Sequence, residues 1–289
     1  MEVFVQTVVG GLTFGAIYAL VALGFSLIYR TMALVNFAHA DVLMLGAYLG
    51  TSMILGLHWP FVVALVVATL LTAGVGVGME RVLRPLENKD LDLMLIGTLG
   101  FGIVLESVAI IVWGPAGQAV RMPIAAAPID VSGILVQPYD LIVLAAAGAI
   151  AIGLYQFLGR TKLGLAMQAS AMDFQAASAM GIDVGRMNAV AFAIGSGLAA
   201  VAGNLAAPLL YVEPTVGVSL GIRAFAAAML GGFGSIQGAI VGGLAIGLID
   251  SLAAGVFQGY GEVVTFVTFA LLITLRPTGI FGEQTISRA

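Results

Sequence analysis

The stretch Ile222–Val256, IRAFAAAMLGGFGSIQGAIVGGLAIGLIDSLAAGV, decides how the chain is read. It is apolar almost throughout, yet longer than the roughly 20 residues one helix needs to cross a bilayer. Near its middle lies Gly231-Gly232-Phe233-Gly234-Ser235, a cluster that breaks helices. The expected structure is a broken or re-entrant hairpin turning at 231–235. Non-helical backbone at membrane depth is tolerated only beside protein or a water-filled cavity, and broken helices often mark transport sites. Gly232 and Ser235 are therefore candidates for a translocation pathway. Gly234, Gly238 and Gly242 share one helix face, and Gly243 and Gly247 share another. Small residues at such spacing let membrane helices pack closely. Gly11 with Gly15, and Gly46 with Gly50, repeat the device.

Outward from this hairpin, further apolar runs cover Val5–Tyr29, Leu34–Leu57, Pro60–Val82, Leu93–Trp113, Tyr139–Leu158, Met187–Leu210 and Tyr260–Leu275. The chain is 61% hydrophobic and 9% charged, with mean hydropathy +1.11. A soluble domain carries about 25% charged residues, so the expected fold is all-α and integral to the membrane. It is a polytopic bundle of about eight segments forming one domain over residues 1–289. The first run follows only Glu2, without the basic n-region of a signal peptide, and reads as a retained span.

Lys and Arg gather on the cytoplasmic side of membrane proteins. Placing Arg30, Arg81, Arg84, Lys89, Arg160, Lys162, Arg186, Arg276 and Arg288 inside leaves only Arg121 and Arg223 outside. The N-terminus is then periplasmic and the C-terminus cytoplasmic. This orientation also requires Ile222–Val256 to enter the membrane and return to the same face.

The largest cytoplasmic connection, about residues 160–186, contains TKLGLAMQASAMDFQAASAMGIDVGR. It predicts a short amphipathic helix ending at Gly181, with Lys162, Asp173, Gln175 and Asp183 facing solvent. It is either a plain connector or, being rich in small residues, a segment that docks into another protein's groove.

Gln175-Ala176-Ala177-Ser178-Ala179-Met180-Gly181-Ile182 resembles the Glu-Ala-Ala…Gly coupling motif of ABC importer permeases. Three further stretches extend the resemblance to the branched-chain amino acid permease family of the Liv type. They are Gly15–Leu20 with Asn36-Phe37-Ala38-His39-Ala40-Asp41 and Leu45–Tyr48, Ala191–Ser196 with Leu230–Ala239, and Arg276-Pro277-Thr278-Gly279-Ile280-Phe281-Gly282. Two positions depart from the family pattern: Gln175 stands where an acid is usual, and Ala40 where Gly is usual.

The resemblance implies a division of labour. This chain and a second, non-identical permease subunit form the pathway. Two cytoplasmic ATP-binding cassette ATPases drive it, and a periplasmic solute-binding protein delivers the solute. Asp173, Gln175, Ala176, Ala177, Gly181 and Ile182 are the expected ATPase-coupling residues. The chain itself is not expected to be an enzyme and needs no cofactor, ATP being bound by the partner subunits. Consistently, it contains no Gly-x-x-x-x-Gly-Lys-[Ser/Thr] phosphate loop. The implied substrate class is branched-chain or related amino acids. A urea or short-amide permease of the same family is the alternative, as is a stand-alone secondary transporter or channel.

Ionisable groups at membrane depth default to a functional hypothesis. Asn36, His39 and Asp41 lie at the start of the second span, near its expected cytoplasmic end. They are either a helix cap with an acid in the first turn or part of the pathway. Glu106 lies deeper, as a pathway group or a member of a buried pair, and Asp250 has the same alternatives. Glu213 is either an ordinary loop residue or a contact for the binding protein. The chain has no cysteine and two histidines, His39 and His58, toward opposite ends of one span. No catalytic constellation and no metal site is expected, and the net charge of −4 gives no footprint for nucleic acid.

Overall fold

A computed structural model describes residues 2–32, 34–86, 91–121, 128–131, 134–257, 261–275 and 279–282. Lys89, Tyr260, Arg276, Pro277, Thr278 and Arg288, all used in the sequence argument, lie outside the described residues. The helices are α1 (Glu2–Met32), α2 (His39–Leu57), α3 (Phe61–Leu83), α4 (Leu91–Trp113), α5 (Pro138–Arg160), α6 (Lys162–Met172), α7 (Phe174–Ala179), α8 (Val184–Ala206), α9 (Val216–Gly231), α10 (Ile236–Val256) and α11 (Gly261–Leu275). Among the described residues, seven helices are long and apolar enough to cross a membrane. The chain is a polytopic, all-helical membrane protein. One small addition interrupts the helices: β1 (Ile129–Val131) pairs antiparallel with β2 (Ile134–Val136) in the connection between α4 and α5.

Burial divides centre from periphery. In the most apolar windows of α1 and α8, 72% and 78% of residues are buried, against 22% for both α3 and α4. The central pair carries polar and small residues on several faces, whereas α3 and α4 show Val62, Leu70, Ile103 and Ile111 outward, as a lipid-facing helix must.

The glycine spacing builds the contacts it predicts. A Cβ on Gly15 would come within 2.9 Å of the Leu244 Cα, and one on Gly243 within 2.5 Å of the Ala19 Cα. This face therefore seats α10 on α1. The opposite face of α10, through Gly238 and Gly242, packs on the backbone of Gly231 and Ala227 in α9. Gly46 faces Ala200 and Gly50 faces Asn204, joining α2 to α8. There the Asn204 amide donates to the Gly46 carbonyl at 3.0 Å.

Arg30, Arg84, Arg160 and Arg186 sit at one end of the bundle. Arg30 and Arg160 line one cleft together with Gln168 of α6. Arg84 pairs with fully buried Glu80 at 2.9 Å and donates to the Gly185 carbonyl at the start of α8. At the opposite end the Trp113 indole donates to Ser52, and Gln118 bridges Val212.

The chain reverses between α9 and α10 where the glycine cluster predicts it. Gly232 has φ +99° and Gly234 φ +83°, values that L-residues with a Cβ resist. The Ser235 hydroxyl accepts the Gly238 N–H at 3.0 Å and caps α10. The reversal lies at the basic end, beside Tyr29 and Arg30. Ile280 and Phe281 donate to the carbonyls of Leu230 and Gly231, so the segment after α11 is bonded onto the turn.

Candidate functional site

Broken backbone at mid-depth occurs elsewhere, at the start of α2. Leu34–Ala38 is non-helical, and Leu34, Asn36 and Ala38 are buried, so protein surrounds it as the bilayer demands. The depth follows from its neighbours. A Cβ on Gly24 of α1 would come within 2.5 Å of the His39 imidazole and 3.0 Å of the Gly195 carbonyl, and Gly195 is the midpoint of α8. Asp41 lies against Gly102, the midpoint of α4.

Two expectations are corrected here. Asn36, His39 and Asp41 lie midway along the neighbouring helices rather than near the end of the bundle. Asn36 is also no cap: the residue preceding α2 is Ala38, with no side-chain hydrogen bond to the helix. The Asn36 side chain is buried with neither Oδ1 nor Nδ2 bonded. Its carbonyl accepts the His39 N–H at 3.2 Å, and the Phe37 N–H donates to Thr98 of α4. The Phe25 ring lies against His39, tilted by 57°, with centroids 4.5 Å apart. The imidazole lies by the Val21 carbonyl, but neither ring nitrogen makes a hydrogen bond of ordinary geometry.

Asp41 and Glu106 come together. Both are partly buried, and Glu106 is near enough for its charge to act on Asp41. Neither forms an ion pair with a described basic residue. Gly217 and Gly221 of α9 pack on Ala40 of α2, so the first turns of α2 and α9 meet beside this carboxylate pair. Helix N-termini carry partial positive charge. The site thus juxtaposes two acids with two electropositive helix ends.

The structure separates Gly232 and Ser235 from this group. Ser235 is a helix cap, and Gly232 packs on the backbone of Phe281 and Gly282 at the basic end. Aromatic rings span the distance between them. Phe37 faces Phe225 at 6.2 Å, Phe225 faces Phe233 at 5.4 Å, and Phe233 faces Tyr29 at 5.0 Å. The sequence argument passed over these rings because single phenylalanines in apolar spans are unremarkable until topology aligns them. Asp250 is the paired alternative: its carboxylate accepts from Arg223 at 3.1 Å and from the Tyr18 hydroxyl at 3.3 Å.

The loop after α5 forms two helices rather than one. Asp173 divides them, its carboxylate accepting the Ala176 N–H at 2.9 Å to cap α7. Ala177 is buried, while Gln175 and Ala176 are exposed. Gly181, at φ +84°, donates to the Ser178 carbonyl and ends α7. Asp183 then caps α8. The lobe carries the apolar anchors that its alanine content concealed: Met172 is 79% exposed, Phe174 56% and Met180 84%. These side chains crowd a six-residue helix at the basic end.

Residues 7–275 match the family model described as the permease component of the branched-chain amino acid transport system. The high-affinity branched-chain amino acid transport system permease protein BraD of Pseudomonas aeruginosa is 32% identical, over 99% of this chain and 98% of its own length. The corresponding LivH of Escherichia coli is 32% identical over 99% and 97%. A probable branched-chain amino acid transport permease protein LivH of Methanocaldococcus jannaschii is 29% identical over 94% and 91%. The solved PsaBC of Streptococcus pneumoniae in complex with Fab aligns over 94% of this chain at 14% identity and TM-score 0.49, too slight a likeness to bear on function. The helical membrane bundle and the match along nearly its whole length lead to one conclusion: the chain belongs to the branched-chain amino acid transport permease family.

Proposed function

We propose that this chain is the permease subunit of an ATP-driven importer for branched-chain or related amino acids, lying in the inner membrane with its basic end in the cytoplasm. It forms half of the translocation pathway, beside a second permease subunit that need not be identical. Of two cytoplasmic ATPases, one docks on the α6–α7 lobe and the other on the second permease subunit, and a periplasmic binding protein supplies solute at the opposite end.

The observation that carries the docking role is the exposed apolar cap of that lobe. Met172, Phe174 and Met180 stand out from a chain segment at the basic end, surrounding the motif that resembles a coupling helix. A surface of this kind suits burial in a partner's groove. Ala176 and Gln175 supply contact area, while Asp173, Ala177, Gly181 and Ile182 hold the shape of the lobe.

The mid-depth group supports an amino-acid solute. Asp41 and Glu106 suit an ammonium group, the first turns of α2 and α9 suit a carboxylate, and Phe37 and Phe225 offer an apolar wall. In alternating access, movement of the α6–α7 lobe reaches this group through α8, whose Gly195 packs on Gly24 of α1, the glycine against which the His39 imidazole rests.

Co-purification tests the reading. The tagged chain, expressed with its genomic neighbours, is expected to retain two ATPases and a second permease in mild detergent. Phe174→Asp with Met180→Asp is expected to reduce the ATPase retained while keeping the permease partner. A chain that purifies alone and transports in liposomes without ATP overturns the proposal.

A further inference from the structure

At the basic end, α1, α5, α6 and α10 enclose a half-open cleft of about 730 Å³, within the range of small-ligand sites, about 300–1,000 Å³. Its polar lining is one-sided. Arg30 and Arg160 project from the ends of α1 and α5, joined by the amides of Gln156, Gln168 and Gln237, and no Asp or Glu lines it. Neither arginine forms an ion pair with a described carboxylate, although Arg84, Arg186 and Arg223 each do. The Gln168 amide donates to the Leu158 carbonyl at 2.6 Å, which fixes one wall.

The other wall is apolar and open. Ile152 and Tyr155, on the outward side of α5, are 60% and 58% exposed. They sit within about two turns of Arg160 on α5, where the apolar part of the helix gives way to its charged end. A pair of guanidiniums with amide donors favours a phosphate group, which arginine binds through paired, charge-assisted hydrogen bonds. An adjoining apolar wall gives a place for acyl chain. Basic pockets between spans at the charged membrane face hold anionic lipid headgroups on these grounds.

We infer that the Arg30–Arg160 cleft is a binding site for a phosphate-bearing anion, with the phosphodiester headgroup of an anionic phospholipid as the source its apolar wall favours. The site is separate from the mid-depth carboxylate pair and does not depend on which solute is transported.

The test uses the full-length protein in vesicles of phosphatidylcholine containing spin-labelled phosphatidylglycerol or spin-labelled phosphatidylcholine, reading the motionally restricted fraction. The protein is expected to restrict phosphatidylglycerol preferentially. Arg30→Gln with Arg160→Gln is expected to weaken that preference about tenfold, the loss of one or more charge-assisted contacts. Lys162→Gln, which lies just outside the cleft, is expected to leave it unchanged. Displacement by added inorganic phosphate would identify a soluble phosphate as the ligand of the same site, and failure of phosphate to compete would identify the lipid headgroup. Equal restriction of the two lipids without phosphate competition, or undiminished preference in the double variant, overturns the inference. So does a loss in Lys162→Gln as large as in the double variant. If the double variant does not accumulate, Gln237→Leu, at an exposed position, removes a donor without removing charge and is expected to weaken the preference; an unchanged preference in it counts against the site.

Discussion

Arg223 of α9 and Asp250 of α10 form an ion pair at 3.1 Å, with 12% and 21% of their side chains exposed. The pair joins two helices whose only covalent link is a glycine-rich turn. It also explains the one arginine that the charge asymmetry left stranded in an apolar helix. Removing one member leaves a largely buried charge alone, at a cost of about 3 kcal/mol or more. Asp250→Ala is therefore expected to lower the thermal midpoint in detergent markedly. Arg223→Asp with Asp250→Arg is expected to recover part of the loss. Equal instability of the single and swapped variants would count against the pairing.

The α1–α10 seam makes a graded steric prediction. Gly247 meets the backbone of Gly11 and Gly15, whereas Gly10 has nothing near its missing Cβ. Gly247→Leu is expected to destabilise by at least the 1–3 kcal/mol typical of overpacking. Gly10→Ala is expected to be neutral or slightly stabilising, since alanine favours helix. Detergent-solubilised yield and thermal midpoint distinguish the two.

At mid-depth, Asp41→Asn and Glu106→Gln are each expected to reduce uptake while leaving ATPase co-purification intact. Because the two carboxylates interact, their effects are expected to be non-additive by about 0.5–3 kcal/mol. Uptake in proteoliposomes for both single variants and the double variant provides the measurement. Full additivity would mean that the two acids act separately.

Gly181 offers a conformational test of the docking lobe. At φ +84°, a β-branched residue is strained by about 1–2 kcal/mol or more, whereas asparagine enters this region comparatively easily. Gly181→Val is expected to reduce solute-stimulated ATP hydrolysis, and Gly181→Asn to retain most of it. Equal activity in both would remove the shape of the turn from the coupling argument.

Much of this architecture was legible in the sequence because a bilayer makes strong demands. Apolar runs had to be helices, the run from 222 to 256 was too long for one span, and four-residue glycine spacing had to face something close. Depth was less legible. Leu34-Val35-Asn36-Phe37-Ala38 continues the apolar pattern of α2, so nothing in composition shows that the helix begins only at His39. The niche at Gly24 that receives the imidazole, closed on its far side by the Gly195 carbonyl, exists only once α1 and α8 are side by side. Asn36 looked like a cap because asparagine often is one, and the burial that overrides this preference is tertiary. The same holds for the part Ser235 plays in capping α10, which shows only once the chain turns there. In the lobe, alanine abundance masked three exposed anchors whose outward direction depends on where Asp173 divides the helices.

The bonds from Ile280 and Phe281 to the α9–α10 turn also impose an order on biogenesis. The turn leaves the ribosome two helices, α10 and α11, before the residues that complete its backbone pairing. Until α11 has been inserted, the carbonyls of Leu230 and Gly231 must find temporary partners, and the hairpin is held by its helix contacts alone. The segment after α11 thus acts as a clasp, letting the bundle assemble in an open form and become fastened only once that segment has emerged.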